Sequence, residues 1–194
     1  MKTVPVQKIA RALNALVLAA LVCNVIALYL VPTAVFIGGE GLLGGAAAYL
    51  GGIFSPGADD IVMARIAASV MAWGFVWTNA YNIVLTLFLL VSGCCTAVIL
   101  WQARRVLKTI LRGEPFSLEN AVSLNRAAVG CFLIAGAALA RVIFSACYYR
   151  SLLPLATYNA LFVPMFAMGG LLCLVMSALF RQAAELKAEN DLTI

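Results

Sequence analysis

The segment AYNIVLTLFLLVSGCCTAVILW, residues 80–101, decides the fold class. It carries no charge, and at 1.5 Å per residue it is long enough to cross the roughly 30 Å hydrocarbon core of a bilayer. It belongs to a longer uncharged run between Arg65 and Arg104, nearly twice what one crossing needs. Two crossings would require a turn of the right kind, and none is present. Thr78, Asn79 and Asn82 divide the run instead. Residues 80–101 are therefore read as one span. Ile61–Trp77 is read as an interfacial helix before it, or an extension of it, with Trp73 and Trp77 at headgroup level.

Three further spans follow from the same criterion. Residues 13–31 form the first, with Pro32 expected at its outer end. Lys2, Lys8 and Arg11 resemble the start of a signal peptide, but the apolar run is too long for one and no small-x-small cleavage site closes it. The third span covers residues 127–147 and the fourth 160–180. Between the first two lies a glycine-rich stretch, 37–57, read as an external loop because glycine weakens helices and Ser55-Pro56-Gly57 is a turn signal. The expected fold is all-α: an integral membrane four-helix bundle, a single domain over 1–194, with the extra interfacial helix before the second span.

Composition agrees. Of 194 residues, 64% are hydrophobic and 11% charged, whereas soluble domains carry about 25% charged residues. Of the basic residues, Lys2, Lys8, Arg11, Arg104, Arg105, Lys108, Arg112, Arg126, Arg181 and Lys187 fall on one side of the spans, against Arg65 and Arg150 on the other. The positive-inside rule then predicts both termini in the cytoplasm of a cell (plasma) membrane protein. The basic excess is a topology signal and a contact for anionic lipid, so no direct nucleic-acid partner is expected. The six cysteines lie in apolar runs without a CxxC pair and read as buried thiols. Histidine is absent. No catalytic residue, metal site or cofactor is expected, and the chain is not read as an enzyme.

In lipid, helices approach through small residues. Ala15, Ala19, Cys23 and Ala27 provide such a stripe in the first span, Gly93 and Ala97 in the second, Gly136 and Ala140 in the third, and Gly169, Cys173 and Ser177 in the fourth. Packing within one chain is the simplest use, and a homo-oligomer is the alternative. Asn14 and Asn24 are expected to hydrogen-bond between helices. Arg141 is the outlier, a charge within the third span. It is read as a snorkelling or ion-paired arginine, or else as an intramembrane polar site, with Asp59 or Asp60 folding over to pair with it.

Two polar segments remain. In residues 102–126, Gly113 should end a helix continuing from the second span, Pro115 should prevent its resumption, and Ser117 should cap the next helix. This predicts a helical hairpin projecting into the cytosol, more apolar at Val106, Leu107, Ile110, Phe116 and Leu118 than a connector needs. Residues 181–194 read as a helix leaving the fourth span and stopping near Asn190.

With the four spans, these segments resemble a bacterial membrane-protein family known mainly as a domain of unknown function. Its members have a Gly-x-Pro-Phe turn and a tail ending Glu-Asn-Asp-Leu-Thr-Val or Ile. The matching residues are Gly113, Pro115, Phe116 and Asn120, then Glu185, Leu186, Glu189, Asn190, Asp191, Leu192, Thr193 and Ile194. The family often has glycine where this chain has Ala183. The resemblance implies a neighbouring gene for a Cro/CI-type helix-turn-helix regulator, and hence a membrane partner or sensor that controls it, with the matching residues as a docking surface. A small oligomeric transporter or channel component is the alternative.

Overall fold

The computed structural model describes residues 5–38, 59–114, 116–151, 153–156 and 158–191. They form five α-helices: α1 (Pro5–Gly38), α2 (Asp59–Phe75), α3 (Ala80–Arg112), α4 (Leu118–Tyr149) and α5 (Phe162–Asp191). Short 3-10 turns occupy Val76–Thr78, Leu153–Ala156 and Tyr158–Leu161. Four helices, α1, α3, α4 and α5, are long and apolar enough to cross a membrane. Their outward faces carry large apolar side chains, among them Leu16, Val25, Leu133, Leu139, Leu172 and Val175. Water would penalise that surface and lipid does not. The chain is a multi-pass membrane protein.

The expected end of the first span at Pro32 is corrected: α1 runs six residues further, to Gly38. Pro32 removes one backbone donor, yet proline is tolerated in a helix whose neighbours absorb the defect. Here Pro32, Thr33 and Val35 are fully buried. The glycine-rich loop expected over 37–57 lies, beyond its first two residues, outside the described residues.

The division between α2 and α3 falls where Thr78 and Asn79 predict it. Thr78 Oγ1 donates to the Phe75 carbonyl at 2.7 Å, ending the first helix. Asn79 is extended, and its Oδ1 accepts from the Tyr81 N–H at 3.0 Å, starting the second. So α2 is a separate helix rather than an extension of the span. Val70, Met71 and Phe75 are exposed on it, as is Trp77 in the turn that follows, whereas Trp73 turns partly inward.

The fold divides into two compact units, one of Met1–Val25 with Ser92–Ile194 and one of Ile26–Val91. In the second unit, Val35, Val76 and Leu85 form a buried core with Val31, Tyr81 and Leu89 around it. In the first unit, Ala10 and Val17 of α1 pack with Leu107 of α3, flanked by Leu100, Ile110 and Leu111.

Within that first unit α4 is the central helix. Of its most apolar window 44% is buried, against 6% for α5. Gly130 lets α4 approach α3, where a Cβ would stand 3.0 Å from Ile99 Cγ1. Gly170 lets α5 approach the Phe132 ring in the same way. The stripe Gly169–Cys173–Ser177 does face α4: a Cβ at Gly169 would lie 4.0 Å from Cys131 Sγ, and Ser177 Oγ donates to the Ala121 carbonyl at 2.7 Å.

Two other stripes are corrected. Ala15, Ala19, Cys23 and Ala27 are exposed, because α1 packs through Ala10, Asn14 and Val17 instead. Gly136 is exposed with open space around it, the close approach having moved to Gly130. All six cysteines are free thiols.

Candidate functional site at the hairpin and tail

Helix α3 ends as its sequence dictates. Gly113 adopts φ +85°, a left-handed conformation open to glycine. Its N–H donates to the Ile110 carbonyl at 3.1 Å, and the Glu114 N–H donates to the Thr109 carbonyl at 3.1 Å. This pair of bonds is a Schellman motif, satisfying carbonyls the helix end would leave bare. Ser117 then caps α4: its backbone is extended and its side chain accepts from the Asn120 N–H at 3.4 Å.

The turn is locked from inside. Asn120 is fully buried, and its Oδ1 lies 2.8 Å from Thr109 Oγ1, which also lies 2.7 Å from the Val106 carbonyl. Ser123 and Gln102 are buried nearby in sequence on the same two helices. Outside, Arg105 pairs with Glu119 at 2.7 Å, with both side chains around half exposed. Such a pair contributes under about 1 kcal/mol. Asn120, expected on a docking surface, therefore holds the turn and presents nothing outward.

The hairpin is also fastened to α5. The Phe116 ring packs on Phe180, centroids 5.8 Å apart, and Ala121 is tied to Ser177. The hairpin tip is thus held beside the last residue of the expected fourth span. It does not project freely, because the antiparallel register of α4 and α5 runs residues 118–126 alongside the final turns of that span. Phe116 is 52% exposed and Leu118 56%, so an apolar edge remains open there.

Beyond Phe180, α5 continues unbroken to Asp191. Arg181 and Glu185 pair one turn apart at 3.0 Å. Glu185, Leu186, Glu189 and Asn190 are exposed, with Leu186 at 65%. The side chain of Asp191, and Pro115 and Leu192 entirely, lie outside the described residues.

A family described as a protein of unknown function, DUF2975, matches residues 66–194. The chain belongs to the DUF2975 family. The DUF2975 match takes in most of α2 and all of α3, α4 and α5, with the hairpin and the tail, and leaves α1 before it. No curated protein and no solved structure matches the chain.

The intramembrane site expected at Arg141 with Asp59 or Asp60 lies in part outside the described residues. Arg141 is half-buried on α4 and has a partner in the structure. Asp59 and Asp60 open α2, and their side chains lie outside the described residues. Sequence reading missed Thr109 as the partner of Asn120. The signal was available: both are small polar residues flanking a Gly-x-Pro turn, where buried polar groups need each other.

Proposed function

We propose that this chain is a non-enzymatic regulatory membrane protein whose tail, with the edge of the hairpin, binds a cytosolic helix-turn-helix regulator. Both termini would then face the cytoplasm, as the distribution of lysine and arginine predicts. The observation that supports this reading is the tail itself. It is an exposed helical continuation of a long apolar helix, beginning beside a hairpin tied to that helix. Leu186 lies between Glu185 and Glu189 on its exposed surface, one apolar side chain flanked by acids. A basic partner groove with one apolar pocket complements that pattern.

The test is co-purification of the detergent-solubilised chain with the product of the adjacent regulator gene, with and without the last ten residues. The full chain should retain the regulator and the truncated one should not. Equal recovery from both, or none from either, would remove the proposal.

A further inference from the structure

Three thiols from three helices come together within the first unit: Cys95 of α3, Cys131 of α4 and Cys173 of α5. Cys131 is the centre of the group. Its side chain is hydrogen-bonded to that of Cys173 and has Cys95 as a near neighbour. Two glycines allow the approach. A Cβ at Gly130 would stand 3.6 Å from the Cys95 carbonyl oxygen. A Cβ at Gly169, one turn before Cys173, would stand 4.0 Å from Cys131 Sγ. Cys131 is buried and Cys173 half-buried, whereas Cys23, Cys94 and Cys147 are exposed.

The medium decides what chemistry the touching pair can carry. All three positions lie in charge-free runs, and Leu171, Leu172 and Val175 beside Cys173 are exposed on the surface that lipid covers. Charge is costly in hydrocarbon, so a reaction that begins and ends neutral is favoured. Among the described residues no three metal-ligating side chains close into a metal-binding group. Two thiols in contact offer a neutral product: each S–H gives up its proton and one electron, and one S–S bond forms. The oxidant must take up two electrons and two protons together, and must be soluble in lipid. A quinone does both, its two carbonyl oxygens becoming the hydroxyls of a quinol. Cys173, half-buried on the outer helix, is the thiol such a molecule meets first, and Cys131 supplies the second sulfur.

We propose that Cys131 and Cys173 are a redox pair, which a lipid-soluble quinone oxidises to a disulfide that joins α4 to α5. The bond would lie one turn from Ser177, on the face of α5 that already hydrogen-bonds to α4. It would make that attachment covalent. The pair rests on the membrane reading of the chain and is independent of the regulator.

The experiment uses the full chain in non-ionic detergent, without oxygen, and ubiquinone-1 as the oxidant. Free thiols are counted by maleimide mass tagging, quinol is measured by absorbance, and the bond is located by peptide mass spectrometry. The six free thiols should fall by two, with one quinol formed per chain and the Cys131 and Cys173 peptides joined. A reductant should restore all six. Cys173→Ser should abolish quinol formation, whereas Cys23→Ser should leave it unchanged. An unchanged thiol count, a bond from Cys131 to Cys95, or a link only between chains would overturn the proposal. Hydrogen peroxide forming the bond where ubiquinone-1 does not would overturn the quinone. If Cys173→Ser does not fold, Cys131→Ala gives the same readout, and an undiminished quinol yield there would equally overturn it.

Discussion

Thr109 and Asn120 meet across the α3–α4 turn with their side-chain oxygens 2.8 Å apart and Asn120 wholly enclosed. A hydroxyl has one proton to give. With the Asn120 amide turned by half, its NH2 donates to Thr109 Oγ1, which then donates to the Val106 carbonyl. Either arrangement ties the last turn of one spanning helix to the first turn of the next. Asn120→Ala or Thr109→Val should each lower stability by about 0.5–1.5 kcal/mol, because each removes the bond that joins the two buried side chains. The double variant should cost less than the sum. Unfolding in mixed micelles gives the coupling, and strict additivity would mean the two residues act separately.

Gly113 is needed for its backbone and not for its size. Its φ is +85° and a Cβ there meets nothing within 4 Å. Gly113→Ala should therefore destabilise by about 1–2 kcal/mol, the cost of a left-handed alanine. Gly113→Asn should recover most of that, since asparagine tolerates this conformation. Chemical unfolding of the three proteins side by side would show the order Gly, Asn, Ala.

Arg150 closes α4 with the same motif as Gly113 but without a glycine. Its φ is 48°, its N–H donates to Cys147, and the Ser151 N–H donates to Ala146. Arg150→Gly should relieve the strain and stabilise by about 1 kcal/mol. The expected sign is a rise in Tm; a fall would show that the arginine side chain contributes more than its backbone costs.

Two glycines of α4 should respond oppositely to alanine. At Gly130 a methyl would press on Ile99 Cγ1 at 3.0 Å, so Gly130→Ala should loosen the α3–α4 contact by about 1–3 kcal/mol. At Gly136 nothing stands within 4 Å, so Gly136→Ala should be neutral or stabilise by up to about 1 kcal/mol through helix propensity. Thermal unfolding in detergent distinguishes them.

The tail should be separable from the fold. The contacts of α5 at Gly170, Ser177 and Phe180 precede it. The Arg181–Glu185 pair is exposed and adds under about 0.5 kcal/mol. Glu185→Ala should leave Tm within a degree or so while weakening retention of the proposed regulator. A large fall in Tm would instead make the tail part of the folded core.

What could be read in advance divides along a physical line. Charge-free length located the four crossings, since the bilayer imposes it directly. Turn chemistry located the helix ends at Gly113, Ser117 and Asn79, because those depend on backbone conformation alone. Which face meets which neighbour was not legible. In lipid the packed side and the lipid side are both apolar, so Ala15–Ala27 and Gly136 looked like contacts and face outward. Pro32 read as an end because proline usually is one; burial of Pro32, Thr33 and Val35 carries α1 past it. The role of Asn120 was hidden for a related reason. A polar residue beside a turn reads as exposed until its partner eleven residues away is known.

The continuity of α5 has a mechanical side. Its 30 residues form a rod about 45 Å long, fastened at Ser177 near its middle. The arm from Ser177 to Asp191 is then about 21 Å. A tilt of 10° about that fulcrum would carry the tip sideways by roughly 4 Å. A change of bilayer thickness that leans the rod would thus arrive at its C-terminal end as a displacement comparable to the width of a side chain.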